Sequence, residues 1–582
     1  MIVPMKKIHL VVQNKDVPEA MDRLRDLAVV HVEHQKELEG EKLNDLREEV
    51  YQCELALSAI KPKKGKVEQA ECKDVTQETR VILDRLEEVE KHKEKITHLQ
   101  ALTSKWESWG DFNPKDFDYL KEKGLHVKLC EVPTKNTPDA PEGVVLEPIK
   151  EDKKLRRCMA ISRTDTELPY DTIDPPEVSL KQMWDELTKE KAALLEVEEK
   201  IKEEAKYSDS LKQQATVKEE NLQFEEVVHG LKAEGELAVL KGYCPEDQSE
   251  TLEEAAKKEG WAVLIEDLED DDIAPTKLKN SKIIELSKPA LQLIEILPGY
   301  KELDVSAVFL VFFTLFFAML IGDAAYGAIF LLLTAVAHMK LKNKVEDHTA
   351  FYLGYMLTGF TMIWGVLTGT YFGQEWLPST VNAVVPWLND SANIQWLCFT
   401  IALVHLSLAR VWTALVKFPS LTFLSEIGWM FIIWGMYFLA NMFVLNRPLP
   451  PVAGWFFIIG ISLAFLFMVP FKYFLKKVPQ EIIPFVLSVI GAGTDIISYI
   501  RLFAVGLATV AVADAANGMP AALPGGPGIV FMVFLHVLNL ILAAMAILVH
   551  AIRLNVLEFS GHLGLEWVGI KYNPFQKKLK KV

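Results

Sequence analysis

Charge is scarce in the second half of this 582-residue chain. From Asp304 to Val582 there are 16 Lys plus Arg and 12 Asp plus Glu, a balance of +4, whereas Met1 to Leu303 carries 47 and 67, a balance of −20. The overall −16 averages two unlike pieces, and the acidic half argues against nucleic acid as a partner. Cysteine is also scarce: Cys53, Cys72, Cys130, Cys158, Cys244 and Cys398 show no CxxC or other metal-ligand spacing. Reduced, structural thiols are expected, with no metal site and no cofactor. There is no GxxxxGK(S/T) phosphate loop, no HExxH and no GxSxG, so no catalytic site of its own is expected. The opening MIVPMKKIHLVVQNKDVPEAMDRL lacks a short apolar core with a cleavage site and reads as a strand running into a helix. The first half is therefore expected in the cytosol.

Glycine and proline are nearly absent between about 41 and 105 and again between about 178 and 228, where Glu, Lys, Leu and Gln dominate. Such composition makes long helices. In the second stretch Leu180, Leu187, Leu194 and Ile201 recur every seven residues, with Trp184, Val197 and Ala205 offset by three or four, a coiled-coil seam. The first stretch offers Ile82, Leu86, Val89, Ile96 and Leu99 as its partner. A β-α-β lobe is predicted near 1–40 and another near 235–270, with a distal lobe over about 120–175 at the tip of the hairpin. The fold class is mainly α. Cytosolic α+β lobes joined by an antiparallel coiled-coil hairpin occupy 1–303, and a polytopic membrane domain occupies 304–582. A rigid arm of about fifty residues reaches about 75 Å, which suits a mechanical link.

Hydrophobic runs long enough to cross a bilayer need about 20 residues. Eight candidates occur, at roughly 304–322, 325–339, 351–373, 394–416, 427–446, 453–472, 482–516 and 528–557, the first two separated by a break at IGDAAYG. With the N-terminal half inside, the inner loops hold the basic residues: Lys340, Lys342 and Lys344; Arg410 and Lys417; Lys472, Lys476 and Lys477; Lys571, Lys577, Lys578, Lys580 and Lys581. The outer loops 374–393 and 517–527 hold none, and the loop after the fifth run holds only Arg447. This asymmetry predicts eight spans with both termini in the cytosol. The last two runs, about 35 and 30 residues, exceed the hydrocarbon thickness and must tilt, curve or extend beyond it.

Arg501 sits inside ISYIRLFAVGLATVAVA, where a charge costs about 2.5 to 3.5 kcal/mol on insertion scales. A guanidinium cannot shed its proton, so it requires a carboxylate, a water-filled cavity or a partner. Arg553 lies near the end of the last run, and Arg501 shares a face with Val505, Ala508, Val512 and Ala515, slender enough for another helix to approach closely. Asp495 and Ser498 lie on the cytosolic side of Arg501, with Asp514 and Asn517 on the outer side. His536, Asn539, Ala543, Ala546, His550 and Arg553 follow each other by three, four, three, four and three along one stripe of the last span. Water or protons could reach the centre from both faces.

These segments, SYIRLFAVGLA, HAIRLNVLEF with the later KYNPF, FFAMLIGDAAYG and LVHLSLAR, occur in an order that resembles subunit a (subunit I) of the V-type and A-type rotary ATPases. The resemblance covers nearly the whole chain and is nearer to the bacterial and archaeal form. Organellar relatives carry a histidine where this chain has Thr509 and a glutamate where it has Ala543. The resemblance implies a membrane stator subunit that forms ion half-channels beside a rotor ring of c-type proteolipid subunits. It also implies coupling of H+ or Na+ translocation to ATP hydrolysis or synthesis. Peripheral stalk subunits, the soluble ATPase head through those stalks, and the lipid bilayer are the implied partners, and a bacterial or archaeal plasma membrane the implied location. Arg501 and Arg553 are then the essential arginines, with Glu558 from the LEF segment beside them. Asp495, Ser498, Asp514, His536, Asn539 and His550 are half-channel candidates. The alternative is a polytopic secondary transporter with a cytosolic coiled-coil domain, although no inverted repeat is visible among the spans.

Overall fold

The computed structural model describes residues 1–34, 38–60, 74–133, 141–151, 155–345, 347–373, 383–469, 474–523 and 526–577. Cys72, Lys472, Lys578, Lys580 and Lys581 lie outside the described residues, as do the side chains of Lys476 and Lys477. The chain forms two compact units: Met1–Ile8 with Tyr243–Glu253 and Leu264–Pro574, and His9–Gly242 with Glu254–Val263 and Phe575–Val582.

Strand β1 (Met5–Gln13), α1 (Val17–Leu27) and β2 (His31–Glu33) open the chain, followed by α2 (Glu41–Ala59) and α3 (Val75–Trp106). Then come α4 (Lys115–Glu122), β3 (His126–Pro133), β4 (Val144–Glu151), β5 (Leu155–Ser162) and β6 (Asp171–Ile173). Helices α5 (Leu180–Glu203) and α6 (Ser208–His229) lead to β7 (Lys232–Glu234), β8 (Leu237–Pro245), α7 (Ser249–Glu259) and β9 (Ala262–Glu266). The two β-α-β segments, expected as separate lobes, share one sheet in the order β2-β8-β1-β9, with β7 on β8. Two strands alone leave unpaired edges and too little apolar face to be stable. Interleaving instead makes β1 and β8 the inner strands, with Ile8, Leu10, Val12, Ala238 and Leu240 buried. The distal sheet is antiparallel in the order β4-β5-β3-β6. In it Cys130 faces Cys158 with both thiols free, and burial pushes Cys130 up to about 11.

The long helices pair as an antiparallel hairpin. Ile82 packs with Ala205, Val89 with Val197 and Ile201, and Trp106 with Met183, so one helix ascends as the other descends. Capping marks where the helices begin: Asp74 accepts from the Thr76 and Gln77 amides, and Ser179 forms a capping box with Gln182. The seam differs from the expectation in one place, because Trp184 is exposed and Met183 is buried. Met183 lies three residues after Leu180, the heptad offset that points into the partner, whereas Trp184 is rotated outward. The second long helix is also interrupted, α5 and α6 being joined by a single 3-10 turn at Glu204–Tyr207; residues 61–73, on which part of the first expected helix falls, lie outside the described residues.

The apolar half follows α8 (Lys288–Leu293). Its helices are α9 (Ser306–Ile321), α10 (Ala324–Leu341), α11 (Thr349–Thr368), α12 (Ser391–Lys417), α13 (Phe423–Leu445), α14 (Val452–Phe467), α15 (Phe474–Ser498), α16 (Ile500–Ala522) and α17 (Gly526–Ala546). The last continues through two π-helical segments, Ile547–Ala551 and Leu554–Phe559, into α18 (Ser560–Leu563). Among the described residues six stretches are long and apolar enough to cross a membrane, α15 with α16 counting as one and α17 to α18 as another. Two more, α9 and α14, are apolar but only 16 residues long. Buried Phe309, Phe316, Phe399, Ile496 and Tyr499 form the centre, while Leu332, Phe360, Val404, Trp455 and Phe534 face outward as lipid-facing residues do. Close helix approach rests on glycine. A Cβ at Gly428 would lie 2.8 Å from the Gly460 carbonyl oxygen, and one at Gly506 would lie 2.7 Å from that of Met319.

Candidate functional site

Tyr499 interrupts the seventh apolar run between α15 and α16, and Arg501 is the second residue after the break. Its Nε donates to the Ser498 carbonyl oxygen at 2.9 Å, and its Nη2 to Glu558 Oε1 at 2.7 Å. Arg553 Nε approaches the same Glu558 oxygen at 3.3 Å. Glu558 is buried, and its other oxygen, Oε2, has no hydrogen-bond partner among the described residues. Two guanidinium groups thus converge on one carboxylate oxygen, leaving a formal excess of one positive charge. Arg501 remains 22% exposed and Arg553 52%.

The buried face of α16 is Leu502, Gly506, Thr509, Ala513 and Ala516. The face expected to carry Val505, Ala508, Val512 and Ala515 beside Arg501 is only partly covered: Ala508 and Ala515 are exposed, as are Ala504, Leu507 and Ala511. A flank of mostly small side chains adjoining the Arg501 guanidinium is therefore left open.

The stripe predicted on the last span is changed by backbone geometry. Its π-helical segments widen the turn, and the buried line runs through Asn539, Ala543, Ile547, Ala551, Asn555 and Phe559, spaced by four throughout. His536 is half-buried beside this line, while His550 and Arg553 are turned off it. His550 joins neither polar cluster, and its Nδ1 is buried without a partner among the described residues.

One cluster lies toward the start of α16. Asp495 Oδ2 is 3.0 Å from His562 Nε2, and His562 Nδ1 accepts from Arg410 Nη2 at 2.8 Å. Because arginine only donates, Nδ1 must be the acceptor and Nε2 carries the proton toward Asp495. Arg410 Nη1 also donates to Glu426 Oε2 at 2.9 Å, and Lys417 Nζ meets Glu426 Oε1 at 2.5 Å. Arg410, counted above with the loop charges, is therefore an interior residue of α12. Ser498 contributes its backbone carbonyl to Arg501.

A second cluster lies toward the end of α16. Tyr326 Oη is 2.7 Å from His536 Nδ1 and accepts from Asn539 Nδ2 at 3.0 Å, and Asn539 also donates to the Thr509 carbonyl oxygen at 2.8 Å. His536 Nε2 faces Asn517 Oδ1 at 3.2 Å, and Asn517 donates to the Phe372 carbonyl oxygen. Asp323, fully buried, caps α10 through the Ala325 and Tyr326 amides and accepts from the Gly373 amide at 2.9 Å. Asp514 abuts the same glycine, since a Cβ on Gly373 would collide with its Oδ1. Between the clusters His405 is sandwiched between Phe312 and Phe559 and bonded to Tyr499 Oη at 2.8 Å.

Tyr326, Arg410, Glu426 and His562 were not predicted as members of this site. Arg410 carried a usable signal, being an isolated charge inside the apolar run 394–416 just as Arg501 is inside 482–516. Among the described residues no group of three or more His, Cys, Asp or Glu side chains could hold a metal ion.

No family model matches the chain. It is 31% identical to a protein of Borreliella burgdorferi named V-type ATP synthase subunit I, with all of both chains covered. It is 29% identical to V-type ATP synthase subunit I 1 of Treponema pallidum, covering 99% of this chain and 100% of that one. A crystal structure of the cytoplasmic N-terminal domain of subunit I, homolog of subunit a, of V-ATPase is similar over 45% of this chain and 99% of its own, at 13% identity and a TM-score of 0.23.

Proposed function

The chain belongs to the subunit I family of V-type ATP synthases, and on that premise we propose that its membrane helices form the stationary side of an ion path facing a rotor ring. It is a multi-pass membrane subunit of a rotary ATPase complex. The secondary-transporter reading has no support in this kinship.

The observation that carries the proposal is the open flank of α16 beside the Arg501–Glu558–Arg553 triad. A ring carboxylate approaching that flank meets a permanent cation, which favours its ionised form and promotes release of its ion. Arg501 then exchanges one carboxylate, that of Glu558, for another on the ring. The cluster around Asp495 and His562 and the cluster around Asp514, His536 and Asn539 serve as the two half-channels. Asp495 and Asp514 are 19 positions apart in sequence, about 28 Å along a helix, and Arg501 lies between them. The helical hairpin serves as the stator arm toward the peripheral stalks and ATPase head. The N-terminal half and the C-terminal tail are placed in the cytosol of a bacterial or archaeal cell. That placement is supported by the loop charges and by Lys577, which pairs with Asp22 and Asp26 of α1.

Disulfide trapping in the assembled complex tests the orientation. Ala508→Cys should cross-link to a cysteine on the outward helix of the ring subunit, and Thr509→Cys, on the buried face, should not. Adducts from Thr509→Cys with none from Ala508→Cys would reject the proposed rotor face.

A further inference from the structure

A cavity of about 550 Å³ lies where the chain enters and leaves its membrane helices. Its walls come from three pieces: Thr276–Asn280, the segment from Glu285 to Leu297 with Ser306 at the start of α9, and Gly569–Tyr572 beyond the last helix. The returning chain clasps the outgoing one. The Gly569 amide donates to the Leu297 carbonyl oxygen, the Thr276 amide to that of Ile570, and the Tyr572 amide to that of Thr276.

The clasp is basic and amphipathic. Thr276–Leu297 carries Lys277, Lys279, Lys282 and Lys288 against Glu285 and Glu295, and Lys571 is added from the returning chain. Lys279 pairs with Asp247, and Lys277 lies over the Tyr572 ring. Lys282, Lys288 and Lys571 form no ion pair with the described residues. On one side of this segment Leu286, Ala290, Leu291 and Ile296 pack into the core of the membrane helices. On the other, Ile283 and Leu293 stand 71% and 69% exposed, and Val568 and Ile570 on the returning chain are exposed too. Large apolar side chains anchored to membrane helices at the depth where α9 begins belong at the headgroup boundary.

We propose that this clasp binds an anionic phospholipid of the cytoplasmic leaflet. The phosphate group is held by Lys277, Lys288 and Lys571, the glycerol region occupies the cavity, and the acyl chains run along Ile283 and Leu293. Clustered lysines immediately cytoplasmic of a membrane helix attract anionic headgroups. The exposed apolar groups select a lipid over a soluble phosphate, which would use only the charges. The site is separate from the ion path, and only the choice of leaflet rests on the topology proposed above.

The test measures lipid retained by the purified complex after detergent exchange into mixed micelles containing either phosphatidylglycerol or phosphatidylcholine, read by mass spectrometry. A triple variant, Lys277→Gln with Lys288→Gln and Lys571→Gln, should retain at least fivefold less phosphatidylglycerol than the wild type. A control with Lys340→Gln, Lys342→Gln and Lys344→Gln should stay within about 1.5-fold of the wild type, and phosphatidylcholine should be retained poorly by all three. Circular dichroism of each variant checks that the fold is kept. Equal retention by the triple variant, equal loss in the control, or displacement of the lipid by millimolar inorganic phosphate would overturn the proposal.

Discussion

The hairpin and the membrane helices place the same chemistry, a basic side chain against a carboxylate across a helix interface, in two different solvents. In the hairpin His92 Nδ1 lies 2.5 Å from Glu190, and Arg85 donates to Glu204 at 2.8 Å. Glu190 and Glu204 stand three residues after the heptad positions Leu187 and Ile201, where an apolar residue would pack better. In a coiled-coil seam such a polar pair can specify register at a cost in stability relative to an apolar residue, and water remains within reach should the pair part. In the apolar half, Arg410–Glu426 and Arg501–Glu558 have no such recourse. All three guanidinium nitrogens of Arg410 donate to Glu426 or His562. Arg501 is satisfied by one carboxylate oxygen and one carbonyl on an open flank. Under the proposed ion path, the paired charges of the hairpin and Arg410 specify structure, whereas Arg501 is kept available.

The largest effect is expected where a buried pair is broken. Arg410→Ala would leave Glu426 with Lys417 alone and the His562 Nδ1 without its donor, and removing one partner of a buried pair costs about 3–5 kcal/mol. Yield of assembled complex and its melting temperature should both fall, and a variant as stable as wild type would remove the distinction between the two arginines.

Next in size is the hairpin. Leu187→Asp with Leu194→Asp introduces two charges into the seam, so the arm should loosen while membrane insertion survives. The readout is ATP-driven transport per assembled complex, expected to fall by uncoupling. Unchanged coupling would contradict the strut role.

The smallest effect is electrostatic. The hydrogen bond from His92 holds Glu190 below the ordinary carboxylate value. A depressed folded value means that its stabilisation is complete above the unfolded value of about 4.3 and disappears as pH falls through the lower, folded one. Distances between spin labels on α3 and α5 should therefore lengthen on acidification in the wild type, and less so in Glu190→Gln. Identical titrations would show that this pair does not report on the seam.

Much of this was legible in the sequence because periodicity is local. The heptads gave the hairpin, and the apolar runs gave the membrane helices down to the break at IGDAAYG, where Asp323 caps α10. Arg501 and Arg553 announced themselves by charge in an apolar context, and Glu558 was reached through the family resemblance. What escaped was non-local. Pairing β1 with β8 joins strands more than 220 residues apart, and no local pattern encodes it. The π-helical segments near Ile547 and Leu554 shift the face of the last span, which a 3.6-residue period cannot foresee. Arg410 stands inside an apolar run, but its place near the end of α12 lets it read as a loop charge.

The proposed ion path requires Arg501 as a permanent, accessible cation, and substitution at this residue tests that requirement most directly. Ion transport is read as an ionophore-sensitive gradient in vesicles, normalised to assembled complex. Arg501→Gln and Arg501→Lys should both assemble and both lose transport, the lysine variant because an ammonium loses its proton readily when desolvated and lacks the planar fork. Arg553→Lys, at a half-exposed position, should be milder. Transport near the wild-type rate by Arg501→Gln would reduce this arginine to a structural partner of Glu558 and contradict the account.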